Sequence, residues 1–128
     1  MAKQLLVLAS VSGLLAVVLG AFAAHGLKGR VDAAMLSAFQ TGVQYQFYHT
    51  LALILVALLL LRFPESGMFL WAGIAFVVGI LLFSGSLYAL ALGGPRWLGP
   101  VTPLGGVSFM VGWICLFVAS WRMPTSPI

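Results

Sequence analysis

A chain of 128 residues has room for one domain, and this one is 62% hydrophobic with only 6% of its residues charged. An ordinary soluble domain is roughly a quarter charged, so there is no material here for a polar shell and the apolar surface must face lipid. The net charge of +4 rests on Lys3, Lys28, Arg30, Arg62, Arg96 and Arg122, scattered singly or in pairs between apolar runs; this excludes the clustered basic face of a nucleic-acid binder and suits the flanks of membrane spans.

Crossing about 30 Å of hydrocarbon takes roughly 20 apolar residues in helical form. Four segments qualify, at about 5–27, 43–61, 68–92 and 103–121. Each is too long and too uniformly apolar for the alternating strands of a barrel. The predicted fold is therefore all-α, an integral membrane four-helix bundle running up and down, in a single transmembrane domain.

The first span carries no charge between Leu5 and Ala24. Lys3, an apolar run and Ala21-Phe22-Ala23 also sketch a signal peptide, but the run outlasts a signal core and is read as a helix. Ser12, Ala16, Gly20 and Ala24 recur every four residues, a small-residue seam that predicts close helix contact. His25 falls in the last turn, where exposed carbonyls and the helix dipole would stabilise it. Asp32 then reads as the N-cap of a short interfacial helix with Val31, Met35, Phe39 and Val43 on one side, and Gly42 as the turn into span two.

The second span opens with Gln44, Tyr45, Gln46, Tyr48, His49 and Thr50 before becoming purely apolar. A tight turn at 62–67 leads to the third span, thinned by Gly73, Gly79 and Gly85 and bearing Ser84, Ser86 and Tyr88 in its last third. A stiff loop over 93–100 precedes the fourth, where Thr102 reads as the cap ahead of Pro103, and Gly105 and Gly112 mark further packing positions. The positive-inside count is tied, Lys3, Arg62 and Arg122 against Lys28, Arg30 and Arg96, so the charges leave the orientation open.

Folded up and down, the spans bring His25, Tyr45, Gln46, His49, Ser84, Ser86, Tyr88 and Thr102 within about 15 Å of one membrane face. The opposite halves of spans two to four are aliphatic or aromatic, with Trp71 and Trp113 among them. Two readings compete for this asymmetry. In one, Gln46 and His49 bond to Ser84 or Ser86 as interhelical glue; in the other, the eight residues line a shallow polar pocket.

Four stretches carry a resemblance. They are Gly20-Ala21-Phe22-Ala23-Ala24-His25-Gly26-Leu27, the run from Phe39 to Ala52, Phe83-Ser84-Gly85-Ser86-Leu87-Tyr88, and the run from Leu98 to Gly106. Over residues 5 to 121 the chain resembles an uncharacterised family, the transmembrane protein 256-like proteins with a domain of unknown function. The resemblance implies a small four-helix protein of the bacterial cell inner membrane. It supplies no activity.

The leading expectation for function is a non-enzymatic binding or accessory protein whose polar end takes a lipid, a quinone or a partner protein. A small transporter or channel is the first alternative, weakened because Asp32 and Glu65 both lie in connectors and leave no carboxylate inside the bundle. A haem-binding redox protein using His25 and His49 is the second, weakened by their unequal depth. No catalytic constellation and no metal site is expected: two histidines without a nearby acid fall short of a ligand set, and Cys115 is the only cysteine. The expected partners are membrane lipids and either a second copy or a larger membrane complex, with no nucleic acid.

Overall fold

The computed structural model describes residues 1–125, and among them the regular elements are all helical. Four helices are long and apolar enough to cross a membrane: Ala2–Leu27, Ala33–Arg62, Gly67–Ala91 and Arg96–Trp121. The first comprises α1 (Ala2–Phe22) and a closing π-turn at Ala23–Leu27; the second is α2 (Ala33–Arg62). The third is built from α3 (Gly67–Gly79), a π-turn at Ile80–Ser84 and α4 (Gly85–Ala91). A 3-10 turn at Arg96–Leu98 leads into α5 (Val101–Trp121), the body of the fourth.

The separate interfacial helix does not exist. Asp32 does cap a helix, its carboxylate accepting from the Met35 N–H at 2.7 Å, but that helix runs unbroken for 30 residues to Arg62. At 1.5 Å per residue it is about 45 Å long, so its first turns overhang a hydrocarbon core of about 30 Å. Gly42 is not a turn. It sits inside α2, where an added Cβ would lie 2.8 Å from the Tyr88 ring, so the missing side chain admits an aromatic ring rather than a bend. The overhang is held by a second apolar cluster of Ala23, Leu27, Phe39 and Ala91, with Leu19 and Tyr88 packed against it.

The main core lies toward the other membrane face, around Leu5, Leu53, Val56, Phe69, Phe76 and Phe109. Within it, α3 and α5 approach closely. A Cβ on Gly105 would stand 2.2 Å from the Phe83 backbone nitrogen, one on Gly79 2.3 Å from the Phe109 ring, and one on Gly112 2.5 Å from the Phe76 ring. Gly85 is different: no atom of another side chain or helix comes within 4 Å of its absent Cβ, so it is not a packing glycine.

The seam of α1 also needs correcting. Ala16 is buried and a Cβ on Gly20 would touch Val43, but Ala24 is exposed. With 3.6 residues per turn, a strict spacing of four drifts about 40° per step and leaves the contact face within a few turns. The buried line follows the true helical period through Leu5, Ala9, Ala16, Ala23 and Leu27.

Candidate functional site

The polar residues grouped by depth divide into three sets, because α2 presents them to different neighbours. Successive residues on a helix are about 100° apart, so His49 and Thr50 point to opposite flanks of Gln46. Thr50 and Gln46 turn toward α1 and α4, and His49 turns toward α5.

On the α1 side, the Gln46 side chain donates from Nε2 to the Ser12 carbonyl at 2.9 Å and reaches Ser12 Oγ at 3.2 Å. A carbonyl only accepts, so this contact fixes which end of the amide is nitrogen. Oε1 therefore faces Tyr88, whose hydroxyl donates to it at 2.6 Å. Ser12 Oγ and Thr50 Oγ1 share a further bond at 2.8 Å. These contacts tie α1, α2 and α4 together.

On the α5 side, the His49 ring lies flat on Phe109 with centroids 3.6 Å apart, flanked by Phe76 and Tyr45. Nδ1 contacts the Tyr45 carbonyl at 2.8 Å, and the Trp113 indole N–H donates to Nε2 at 3.1 Å. The carbonyl can only accept and the indole can only donate, so the imidazole is neutral with its proton on Nδ1. Nδ1 thus carries the proton, and the Nε2 lone pair is taken by the indole rather than free for a haem iron. His25 is exposed in the π-turn at the end of the first span, whereas His49 is buried against α5. The two histidines do not form an axial pair.

The third set ties the last third of span three to α2 and to the start of span four. Ser84 is almost fully buried and donates to the Gly42 carbonyl at 2.7 Å. Ser86 donates to the Phe83 carbonyl at 3.0 Å and is bonded to Thr102. Thr102 is thus no N-cap: α5 begins a residue earlier, at Val101, and its hydroxyl is spent on Ser86. Neither Gln46 nor His49 bonds to Ser84 or Ser86. Among the described residues, no buried side-chain nitrogen or oxygen is left without a partner, and no three His, Cys, Asp or Glu gather as metal ligands.

Two participants escaped the sequence reading. Ser12 was assigned to packing alone, and Trp113 to the apolar half. The indole N–H was the available signal, since a donor deep in hydrocarbon requires an acceptor.

One cavity shares only Gln46 and Tyr88 with the expected pocket. A groove of about 330 Å³ runs between α1 and the third span, walled by Leu8, Val11, Leu15, Leu19, Leu53, Val77, Ile80 and Leu81. Leu15 and Leu81 are exposed, so the groove opens sideways to the bilayer. Gly85 lines it, and Ser12, Gln46 and Tyr88 supply a small polar spot in an otherwise aliphatic surface. The π-turn at Ile80–Ser84, sealed by the Gly85 N–H bonding back to Ile80, places Ile80, Leu81 and Gly85 along this wall. Such turns are often retained where a helix must present side chains off the regular period. His25, Tyr45, His49, Ser84, Ser86 and Thr102 do not line the groove.

Four spanning helices closed over internally bonded polar side chains define a small polytopic membrane protein. A family model described as a protein of unknown function (DUF423) matches residues 19–106, and the chain belongs to that family. It is 46% identical over 118 residues to the UPF0382 membrane protein YwdK of Bacillus subtilis (strain 168), covering 92% of this chain and 96% of that one. A UPF0382 membrane protein of Haemophilus influenzae is 45% identical over 125 residues, covering 95% of this chain and 97% of the relative. The UPF0382 inner membrane protein YgdD of Escherichia coli (strain K12) is 43% identical over 121 residues, covering 94% and 92%. No solved structure matches. The chain is an integral protein of the bacterial inner membrane.

Proposed function

We propose that the protein is a non-enzymatic binding protein that holds a membrane amphiphile, a lipid or a quinone, in the lateral groove between α1 and the third span. The observation that carries this reading is the groove itself. At about 330 Å³ it falls within the range of small-molecule sites, and its aliphatic walls surround one small polar spot at Ser12, Gln46 and Tyr88. Its open side faces lipid, so an occupant enters from the bilayer without crossing a polar barrier. The reading replaces the wider polar pocket expected from residue depth, whose other members do not line the groove.

Gly85 provides the test. Its backbone is ordinary right-handed helix and nothing stands within 4 Å of its missing Cβ, so Gly85→Leu projects a side chain into the groove without disturbing the packed core. Native and variant protein would be purified in mild detergent and extracted, and the retained lipids and quinones quantified by mass spectrometry. The native form should retain a stoichiometric amphiphile that the variant has lost. Equal retention by both forms, or none by either, would sink the proposal.

A further inference from the structure

We infer that the protein carries a second site, a notch between the end of the first span and the start of α2 that seats the ester and phosphate region of an anionic phospholipid. It is independent of the lateral groove, with which it shares no lining residue.

The notch is formed where small residues meet a pair of amides. Gly20 and Ala23 of the first span and Gln40, Val43 and Gln44 of α2 line about 330 Å³. An added Cβ on Gly20 would stand 3.4 Å from Val43, and Ala23 is buried, so the two helices touch beneath the notch and close it from inside. Gln40 and Gln44 lie one turn apart and both are exposed. They contrast with Gln46 of the same helix, which is buried and whose amide is bonded at both ends within the bundle.

Depth selects the chemistry that meets these amides. At 1.5 Å per residue, Gln44 stands about 27 Å along α2 from Arg62 and Gln40 about 33 Å, so the pair brackets the edge of a hydrocarbon core about 30 Å thick. That is the level of a phospholipid's ester and phosphate groups, which offer acceptor oxygens. Each glutamine amide carries two N–H donors. A polar group at the hydrocarbon edge is costly without a partner, and those oxygens are the acceptors that the bilayer supplies there.

The preference for a negative headgroup comes from the connector over residues 28–32, which joins the two helices that flank the notch. It is a fixed turn: the Arg30 N–H donates to the Leu27 carbonyl at 2.9 Å, and Gly29 adopts a φ of 84° that only glycine takes readily. Lys28 and Arg30 are exposed in it. Its acid, Asp32, turns its carboxylate onto the Met35 N–H at 2.7 Å. Two cations against one acid leave a net positive charge at headgroup level, which attracts an anionic lipid.

The full chain in mild detergent would be titrated with phosphatidylglycerol and phosphatidylcholine of the same acyl chains, and bound lipid counted by native mass spectrometry. At low salt phosphatidylglycerol should bind about fivefold more tightly, the effect of one net charge at the surface, and added salt should shrink the gap. Lys28→Gln with Arg30→Gln should erase the preference and leave phosphatidylcholine binding unchanged. Gln40→Leu with Gln44→Leu should weaken both lipids. Gln40→Glu, a change at headgroup level, should turn the preference toward phosphatidylcholine, a ratio that a folding defect does not produce. Equal binding of the two lipids by the native protein at low salt overturns the inference, as does undiminished binding by the double glutamine variant. A native dimer that the double glutamine variant loses also overturns it, assigning the amides to a second copy of the chain. Gly85→Leu should change none of these values; loss of phosphatidylglycerol in that variant would assign the lipid to the groove and overturn the notch.

Discussion

The two sides of the third span differ in how they meet their neighbours. Toward α5, glycines bring backbone against backbone and ring: Gly105 touches Phe83, Gly79 touches Phe109, and Gly112 touches Phe76. Toward α1 the same span closes at one end, where a Cβ on Gly73 would stand 2.8 Å from Leu5, and opens at the other, where Gly85 faces a groove lined by leucine, valine and isoleucine. Lipid tails are as apolar as leucine, so burying apolar surface does not by itself draw helices together in a membrane. Association there depends on close dispersion contact and interhelical hydrogen bonds. The α3–α5 seam obtains the first from its glycines. The α1 side relies on the second, through Gln46, Ser12, Thr50 and Tyr88. Within the third span, glycine is a structural necessity at Gly79 and a vacancy at Gly85.

The contrast predicts a wide gap between two glycine substitutions. Gly105→Ala would force a Cβ against the Phe83 backbone, which cannot swing aside as a side chain could. The expected loss is about 3 kcal/mol or failure to accumulate folded protein, at the upper end of overpacking costs. It is measured by thermal or SDS-induced unfolding in detergent.

A smaller effect tests the hydrogen-bonded side. Gln46→Leu removes the contacts to Ser12 and the bond from Tyr88. Bonds of this kind average about 0.6 kcal/mol each in membranes, so the expected destabilisation is about 1–2 kcal/mol. A loss as large as that of Gly105→Ala would mean that α1 is held as rigidly as α5.

Smaller again is the single bond from Trp113 to His49. Trp113→Phe keeps an aromatic ring and removes only the donor, with an expected cost of about 0.6 kcal/mol. A double-mutant cycle with His49→Leu should return a coupling of the same size. Coupling near zero would mean that Trp113 meets His49 through its ring alone.

The least effect belongs to Gly85→Leu, the counterpart of the first. Stability should change by less than about 1 kcal/mol and toward greater stability, because leucine favours helix over glycine and the site is open. The same unfolding measurement checks it. Marked destabilisation would show that the groove closes on itself and that Gly85 is a packing glycine after all.

Much of the fold was legible because lipid imposes a simple demand. Every backbone polar group must be satisfied within its own segment, so long apolar runs become helices, and their lengths and turn residues count the spans. That reasoning placed four spans, the Asp32 cap and the tight approach at Gly79, Gly105 and Gly112. It failed where periodicity was taken too strictly, as in the four-residue seam that carried Ala24 away from the contact face. It failed also at Gly42, where a glycine was assigned to a bend and the chain used it to admit the ring of Tyr88.

The sequence by itself determined that this is a four-span membrane protein with its polar residues gathered toward one face, because both follow from composition and from order along the chain. Only the tertiary structure decided which polar residue bonds to which. Depth is nearly proportional to position in a helix, but direction around the helix depends on the neighbours that packing supplies. Gln46 and His49 lie three residues apart, yet one reaches Ser12 in α1 and the other receives Trp113 from α5. The groove is likewise invisible in the sequence, for it is a space left where α1, from Leu8 to Leu19, parts from the third span. No residue encodes it alone.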